Sequence, residues 1–472
     1  MKKLLAIVLV GSLFAGCKPG DFGDLNTNPL QVSKASTKSL LTNTLTKFNV
    51  TIFGINNAIS NVQHVSKGPY PGEYGAVNVS WEAHYVGALA NLQAIIDKNN
   101  NGDPTADLTN GYRDNQLAVA RILKAYYFWW LTDRYGDIPY SEALKGDVDF
   151  TPKYDAQKDI YYDLFKELKE AAAQIKTNEA GVAGDILLNG NMERWKTFAN
   201  TTRMMMALRL IKNDYEKGKA EFAEAFAAGT INSNDDNVIY KFIADDPNNF
   251  NPWYHSHVIL NRNDYAISNT MTNYMEPKND PRLFVYGEDL NGQVVGLPYG
   301  VGSPTFIPAA YSRIGDFFRS AGSPAPVYTY AQVLFTLAEA AKVGYIAGGD
   351  AQAETYYNDA IKASFQYYGV YNDTDYGNYI ANADVAYDAG NGLKKIMSEK
   401  WVHLYLNGYE AWADWRRTGF PELVPAVDGQ TAEIPRREGY PSQEAAINEE
   451  NYNEALQRQG PNDQLTRFWW DK

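Results

Sequence analysis

The feature that most constrains this fold is an apolar run inside the segment from Ala118 to Gly146, AVARILKAYYFWWLTDRYGDIPYSEALKG. Between Ile122 and Leu131 only Lys124 is polar, so a helix formed here would be apolar on all sides. A helix of that kind is enclosed by other helices. Arg121 and Lys124 interrupt the run well short of the roughly 20 apolar residues that a membrane span requires. The sequence therefore predicts a buried helix inside a helical bundle.

The end of this helix is also encoded. Gly136 supplies a stop signal, because glycine adopts the left-handed conformation that closes many helices. Pro139 then keeps Ile138 out of the helical region. We therefore expect the chain to leave the helix in a fixed direction and to return as a helical hairpin.

A weak internal repeat indicates the fold class. The segment from Ala331 to Asp350 resembles the segment from Ala118 to Asp137, since each is an apolar helix that ends in a Gly-Asp turn. The residues after the later helix match the small-aromatic-small spacing of a second tetratricopeptide helix at Ala353, Tyr357 and Ala360. No strict 34-residue period exists, so the array is divergent. We predict a mainly α fold with a divergent tetratricopeptide-like scaffold of helical hairpins.

The chain divides by composition into a scaffold, an insertion and a strap. Nine of the 21 prolines fall in residues 230–327, where helical runs are few, and this predicts a loop-rich inserted region that carries the ligand site. The scaffold is expected at about 36–229 and 328–420. Residues 421–472 are interpreted as an irregular strap whose terminal aromatics dock on the body. We expect residues 17–472 to form a single domain.

The N-terminus has the layout of a bacterial lipoprotein signal. Lys2 and Lys3 precede an apolar run, and Ala15 and Gly16 supply small residues before Cys17. Residues 1–16 are therefore interpreted as a signal peptide and Cys17 as the lipidated residue. Because Cys17 is the only cysteine, a disulfide within the chain is excluded. The net charge of −13 argues against nucleic acid as a partner.

Aromatic residues make up 14% of the chain, which exceeds what a core alone should require. Flat sugar rings pack on aromatic rings while amide groups bind their hydroxyls, so a glycan site combines both kinds of side chain. Two stretches qualify as candidate ligand sites. The first contains Tyr70, Tyr74, Asn78 and Trp81, and the second contains Asn251, Trp253, Tyr254 and Tyr299.

Metal and cofactor sites receive little support. Asp97, Asn99 and Asn101 match the first half of a calcium loop, but the twelfth position is Leu108 in place of the closing acid. We keep them as a weak calcium candidate and interpret the segment as a helix end and turn. Other metal sites and cofactors are not expected.

Catalysis is not expected either. Asp133 and Asp137 could be imagined as a glycosidase pair, since two carboxylates are the minimum for cleaving a sugar bond. They lie beside Arg134 at the predicted helix end, where helix capping and ion pairing are commoner roles for such charges. We therefore predict a non-enzymatic protein with no catalytic residues.

Four segments together resemble one family. The segment LTDRYGDIPYSEAL resembles the hallmark of the SusD/RagB family of outer-membrane nutrient-binding lipoproteins. Three further stretches resemble family sequence in the family's order: Asp280 to Leu283, Glu399 to Leu423 and Ile434 to Leu456. The resemblance spans most of the chain.

The resemblance implies a function and a location. It implies a lipid-anchored, surface-exposed outer-membrane protein that binds a nutrient, most simply an oligosaccharide. It further implies delivery to a SusC-like TonB-dependent transporter barrel as the partner. Two alternatives stay open, namely peptide capture within the same family and a helical-repeat interaction module without a small ligand.

Overall fold

The structure, a computed structural model, describes residues 35–48, 54–67, 74, 78–101, 108–146, 150–301, 307–429 and 431–472. The predicted signal peptide, Cys17 and Tyr70 therefore lie outside the described residues. Nearly all described residues belong to one unit, Thr37–Lys472.

The described residues are mainly helical. Their α-helices are α1 Thr37–Thr46, α2 Asn57–Asn61, α3 Ala90–Asn101, α4 Arg113–Tyr135, α5 Gln157–Gln174, α6 Met192–Leu208, α7 Tyr215–Ala227, α8 Pro252–Tyr254, α9 Asn269–Met275, α10 Leu283–Tyr286, α11 Asp316–Arg319, α12 Tyr330–Val343, α13 Gly349–Tyr367, α14 Asp373–Ala381, α15 Gly392–His403, α16 Gly408–Thr418, α17 Glu444–Ile447 and α18 Glu449–Gln459. Short π-helical turns span His84–Leu89 and His255–Ile259, and 3₁₀ turns span Leu108–Asn110, Asn234–Asp236, Glu276–Lys278 and Trp469–Asp471. The strands are β1 Val65–Lys67, β2 Ile138–Pro139, β3 Tyr154–Asp155, β4 Val238–Tyr240, β5 Tyr265–Ile267 and β6 Ala325–Tyr328. The strands form three antiparallel pairs, β1 with β5, β2 with β3 and β4 with β6.

Helix α4 is the buried helix that the apolar run predicts. From Asn115 to Tyr135 every residue is buried except Arg121 and Lys124. Helix α4 packs between α3 and α5. Gly136 caps its C-terminus, with φ of 83° and an N–H that donates to the carbonyl of Thr132 at 2.8 Å. Among the described helices, none has the length and hydropathy that a membrane crossing needs.

The predicted hairpin scaffold is also present. Helix α4 packs on α5, α6 packs on α7, and α12 packs on α13. The three residues that matched the tetratricopeptide spacing, Ala353, Tyr357 and Ala360, have no exposed surface, because they form the seam of the α12–α13 hairpin. These observations confirm a mainly α, tetratricopeptide-like fold.

The region predicted as an insertion is closed at its base by a short ribbon. Strand β4 lies near its start and β6 at its end, and the two pair antiparallel with Val238 opposite Tyr328. Strand β5, from the middle of the region, pairs with β1 of the scaffold. The loops between these strands are therefore held at both ends by backbone hydrogen bonds.

The C-terminal strap docks on the end of α4. Gln459 accepts the N–H of Asp137 at 2.8 Å and donates to the carbonyl of Tyr135 at 3.0 Å, so it satisfies backbone groups that the helix end leaves open. Phe468 and Trp470 have no exposed surface. Trp470 also donates its indole N–H to Asp133 at 3.0 Å.

Candidate functional site

The structure brings together one aromatic residue from each predicted ligand group. The Tyr299 hydroxyl lies 3.4 Å from the Tyr74 hydroxyl and donates to the carbonyl of Ser60 at 2.6 Å. The Tyr74 hydroxyl accepts the backbone N–H of Ala426 at 2.9 Å. The N-terminal scaffold, the insertion and the strap therefore meet at this pair of tyrosines.

Three exposed valines lie within two residues of Tyr299 or Ala426 in the chain. Val301, Val424 and Val427 are 50%, 75% and 82% exposed. The strap is fixed against the insertion because the Asp428 N–H donates to the carbonyl of Gly300 at 2.8 Å. Gly300 is required there, since it has φ of 66° and an added Cβ would lie 2.4 Å from the Cβ of Ala426. We call Tyr74, Tyr299, Val301, Val424 and Val427 the valine face.

The valine face combines three exposed apolar side chains with two buried tyrosines. Clustered exposed apolar side chains on a soluble protein commonly mark a binding site. The two tyrosines are 3% and 9% exposed and their hydroxyls hold the loops, so the valines are the exposed side chains of the valine face. The exposed side chains of the valine face are therefore apolar.

A second feature of the insertion is a small pocket rich in cationic groups. Trp253, His257, Arg313 and Arg319 contribute to its lining. The imidazole of His257 lies 2.9 Å from the Arg319 guanidinium, and burial together with that charge lowers the pKa of His257. The volume of this pocket is about 20 Å³, which is room for little more than a water-sized group.

Trp81 is part of the core. Its ring is 5% exposed and contacts four tyrosine rings, with centroid distances of 5.1 Å to Tyr135, 5.5 Å to Tyr440, 5.8 Å to Tyr154 and 5.9 Å to Tyr85. Edge and tilted packing of these rings occupies the surroundings of Trp81, so its ring is not exposed as a sugar platform in this structure.

The residues of the second predicted group are also largely buried. Asn251 has no exposed surface and caps α8, where its carbonyl oxygen accepts the Trp253 N–H at 2.8 Å and its amide donates to Ser323 at 3.1 Å. The Trp253 ring is 4% exposed and packs on Tyr265 with centroids 5.7 Å apart. Tyr254 is half-buried. An exposed stacking ring is therefore absent at Trp253, although Trp253 does border the cationic pocket.

Asn78 is exposed and lies at a backbone bridge to Gly439. It is the one described amide of the first group that solvent reaches freely. Its binding role stays a prediction.

The described side chains of the calcium candidate, those of Asp97 and Asn99, already form hydrogen bonds within helix α3. Asp97 accepts the amide of Gln93 at 2.8 Å, and Asn99 is 3% exposed and donates to the carbonyl of Ile95 at 2.9 Å. The Asn101 side chain and residues 102–107 lie outside the description. In the described part of the chain, no group of three or more His, Cys, Asp or Glu residues could hold a metal.

The imagined carboxylate pair has structural partners. Asp133 accepts hydrogen bonds from Arg209 at 3.2 Å and Trp470 at 3.0 Å. Asp137 accepts the Gln157 N–H at 2.9 Å and pairs with Arg458 at 3.0 Å. Each carboxylate therefore fixes one element to another, which explains their presence without a reaction.

Sequence reasoning missed the three valines. Val424 and Val427 fall in a proline- and glycine-containing segment read only as a strap, and Val301 follows a loop glycine. The sequence did contain one indication of these valines, because Val424 to Val427 is an apolar stretch in a segment with no helical period.

The SusD-like family described as starch-binding and associating with the outer membrane matches residues 29–441. No curated protein matches the chain.

Several solved structures resemble the whole chain. A chitin-binding protein is 30% identical, with a TM-score of 0.79, over 93% of this chain and all of its own. A chitin-binding SusD homolog from Flavobacterium johnsoniae is 25% identical, with a TM-score of 0.75, over 92% of this chain and 98% of its own. A SusD homolog from Bacteroides uniformis, 24% identical with a TM-score of 0.77 over 92% of this chain and 98% of its own, shares the fold.

Proposed function

The chain belongs to the SusD-like family, and from that premise we propose that it is a cell-surface lipoprotein that binds an oligosaccharide and delivers it to a SusC-like TonB-dependent transporter. The observation that carries this proposal is the 30% identity, over nearly the full length of both chains, with a chitin-binding protein. Family members are binding proteins of the outer membrane, so we propose no catalytic role.

We propose a β-linked N-acetylglucosamine oligomer as the first ligand to test. Two similar structures are of chitin-binding proteins, one of them also a SusD homolog. The valine face supports this choice because acetyl methyl groups and the C–H faces of sugar rings are apolar, as are exposed valine side chains. Asn78 could supply a polar group if the ligand extends to it.

The direct experiment is calorimetric titration of the soluble mature chain with chitohexaose, with cellohexaose as the matched sugar that lacks acetamido groups. We expect saturable binding of the first and no release of shorter products. Binding of a peptide library with no binding of any glycan would replace this proposal with peptide capture. A chain that binds neither would support the protein-interaction alternative.

A charge placed on the valine face should weaken glycan binding. We expect Val427→Asp to reduce chitohexaose affinity by about tenfold. The substitution removes roughly one valine contact that the bound glycan would bury, and it adds a carboxylate that must lose water on binding. Thermal stability should be unchanged, since Val427 is 82% exposed.

Val86→Asp is the matched control. Val86 is 70% exposed and lies on the π-helical turn before α3, outside the valine face. Calorimetry should give this variant wild-type affinity. If both substitutions weakened chitohexaose binding equally, the ligand would bind elsewhere or the loss of affinity would come from the added overall charge.

The proposed anchor makes a separate prediction. We expect Cys17→Ser to move the protein from the membrane fraction to the soluble fraction in cells that lack the partner barrel, because a stable lipid attachment requires the acylated cysteine. Fractionation with immunoblotting measures the change. Retention of the variant on membranes would contradict lipid anchoring at Cys17.

A further inference from the structure

A ligand-sized cavity lies on the scaffold, formed by different elements from the valine face. It has a volume of about 460 Å³ and lies between α3, α4, α5 and the turn after β2. Small-molecule sites typically occupy about 300 to 1,000 Å³, so the space suits a monosaccharide-sized ligand. We call this cavity the scaffold groove.

The scaffold groove contains an unusual lysine. Lys124 and Arg121 are the only residues between Asn115 and Tyr135 of α4 that are not buried, and both line the groove. The Lys124 ammonium donates to the Gln93 amide oxygen at 2.7 Å. Among the described residues, no carboxylate lies within 4.0 Å of the Lys124 ammonium, the distance that defines an ion pair. A half-buried ammonium therefore has hydrogen-bonding capacity left over.

The groove carboxylates are already held by other partners. Glu167 pairs with Arg121 at 2.9 Å. Asp163 accepts the Tyr140 hydroxyl at 2.6 Å. Their charges raise the pKa of Lys124 from a short distance, but burial outweighs them and the pKa of Lys124 is lowered. An anion in the groove would add a charged partner to the amide oxygen of Gln93 that the ammonium already contacts.

A second cation lies at the rim. Lys145 also lines the groove, is exposed, and has no carboxylate within ion-pair distance in the described part of the chain. The lining therefore holds three cations, Arg121, Lys124 and Lys145, and two carboxylates. Two further carboxylates act on these cations from outside the lining, since Glu170 bonds to Arg121 at 3.0 Å and Asp97 raises the pKa of Lys124. The two ammonium groups, which form no ion pair within the described residues, are therefore the places where an anion could bind.

We propose that the scaffold groove binds a small hydroxylated carboxylate of the size of a uronic acid. The carboxylate would pair with Lys124 and Lys145, since charge-assisted hydrogen bonds to an ammonium are the strongest available there. The hydroxyl groups would donate to oxygens of Asp163, Glu167 and Gln93, which a ligand made only of acceptors could not use. This inference does not rest on the proposed function, because it concerns other residues and another ligand class.

The test compares glucuronate with glucose, which differ at one carbon by a carboxylate in place of a hydroxymethyl group. We expect glucuronate to shift the NMR signals of Lys124 and its groove neighbours in a saturable way, with glucose at least about tenfold weaker. Affinity should fall as the pH rises through the Lys124 pKa, because a neutral amine cannot pair with a carboxylate. Arg121, Asp97, Asp163 and Glu167 also act on that pKa, so the Lys124 side chain is titrated directly.

Lys124→Met keeps the apolar stem and removes the charge, and it should weaken glucuronate binding about tenfold. Lys166→Met is the matched control, since Lys166 is an exposed lysine on α5 that does not line the groove. Lys145→Met, at the exposed rim, is a second test should Lys124→Met fold poorly. No saturable shift, equal binding of glucose, or full binding by both groove variants would overturn the proposal, whatever the result with chitohexaose.

Discussion

Replacing Arg282 by Met is expected to cost about 3 to 5 kcal/mol of unfolding free energy, because breaking a buried ion pair leaves an uncompensated charge. Arg282 has no exposed surface and bonds to Asp280 at 2.6 Å and Glu399 at 2.7 Å. It also donates to Tyr379 and Ser364, each at 3.1 Å. Methionine fills a similar volume, so the loss is chiefly electrostatic. Urea unfolding at neutral pH measures it.

An exposed ion pair provides the comparison. Lys394 and Glu422 lie 3.1 Å apart, but their side chains are 45% and 72% exposed. Lys394→Met should change the unfolding free energy by less than about 1 kcal/mol, because water screens an exposed pair. A similar small change for Arg282→Met would mean that the buried cluster tolerates its loss by admitting water or protonating a carboxylate.

The Arg282 cluster also explains two segments of the family resemblance. Asp280 and Arg282 belong to the Asp-Pro-Arg-Leu segment, and Glu399 is the first residue of the segment that runs to Leu423. The cluster joins the insertion to the scaffold helix α15 across 117 residues of chain. Motifs that identify the family here are therefore scaffold contacts, and they do not specify the ligand.

The central helix was predictable because its information is local. A continuous apolar run and a following glycine define α4 and its end at Tyr135, and both can be read from adjacent residues. The burial of Arg282 could not be read in this way. A charged residue is ordinarily exposed, and its partner Glu399 is distant in sequence.

The candidate site was harder to predict for the same reason. Tyr74 and Tyr299 are 225 residues apart, and the strap joins them from 352 residues beyond Tyr74. Three-dimensional proximity of such segments is set by the whole fold. The aromatic content was also misleading, since tyrosines with bonded hydroxyls fill much of this large core. Local composition therefore indicated the region but not the surface residues.

The second large effect is expected for the two tryptophans that the sequence offered as sugar platforms. Trp81→Ala and Trp253→Ala should each lower the unfolding free energy by about 3 to 5 kcal/mol, because removing a buried indole leaves a cavity among its neighbours. Trp81 and Trp253 are 5% and 4% exposed. Chitohexaose affinity per folded molecule should be unchanged. Thermal unfolding and calorimetry of each variant separate the two quantities.

Phe150→Ala is the control for these variants, since Phe150 is 77% exposed and its loss should change the unfolding free energy by less than about 0.5 kcal/mol. A true platform ring would behave in the opposite way to a core ring. Its removal would leave the melting temperature near the wild-type value and weaken sugar binding by about tenfold, as loss of one aromatic contact predicts. That outcome at Trp253 would mean that the loops around α8 open to expose its ring when a glycan binds. The same outcome at Trp81 would require four tyrosine rings to separate, so Trp81 is the more demanding test of the core assignment.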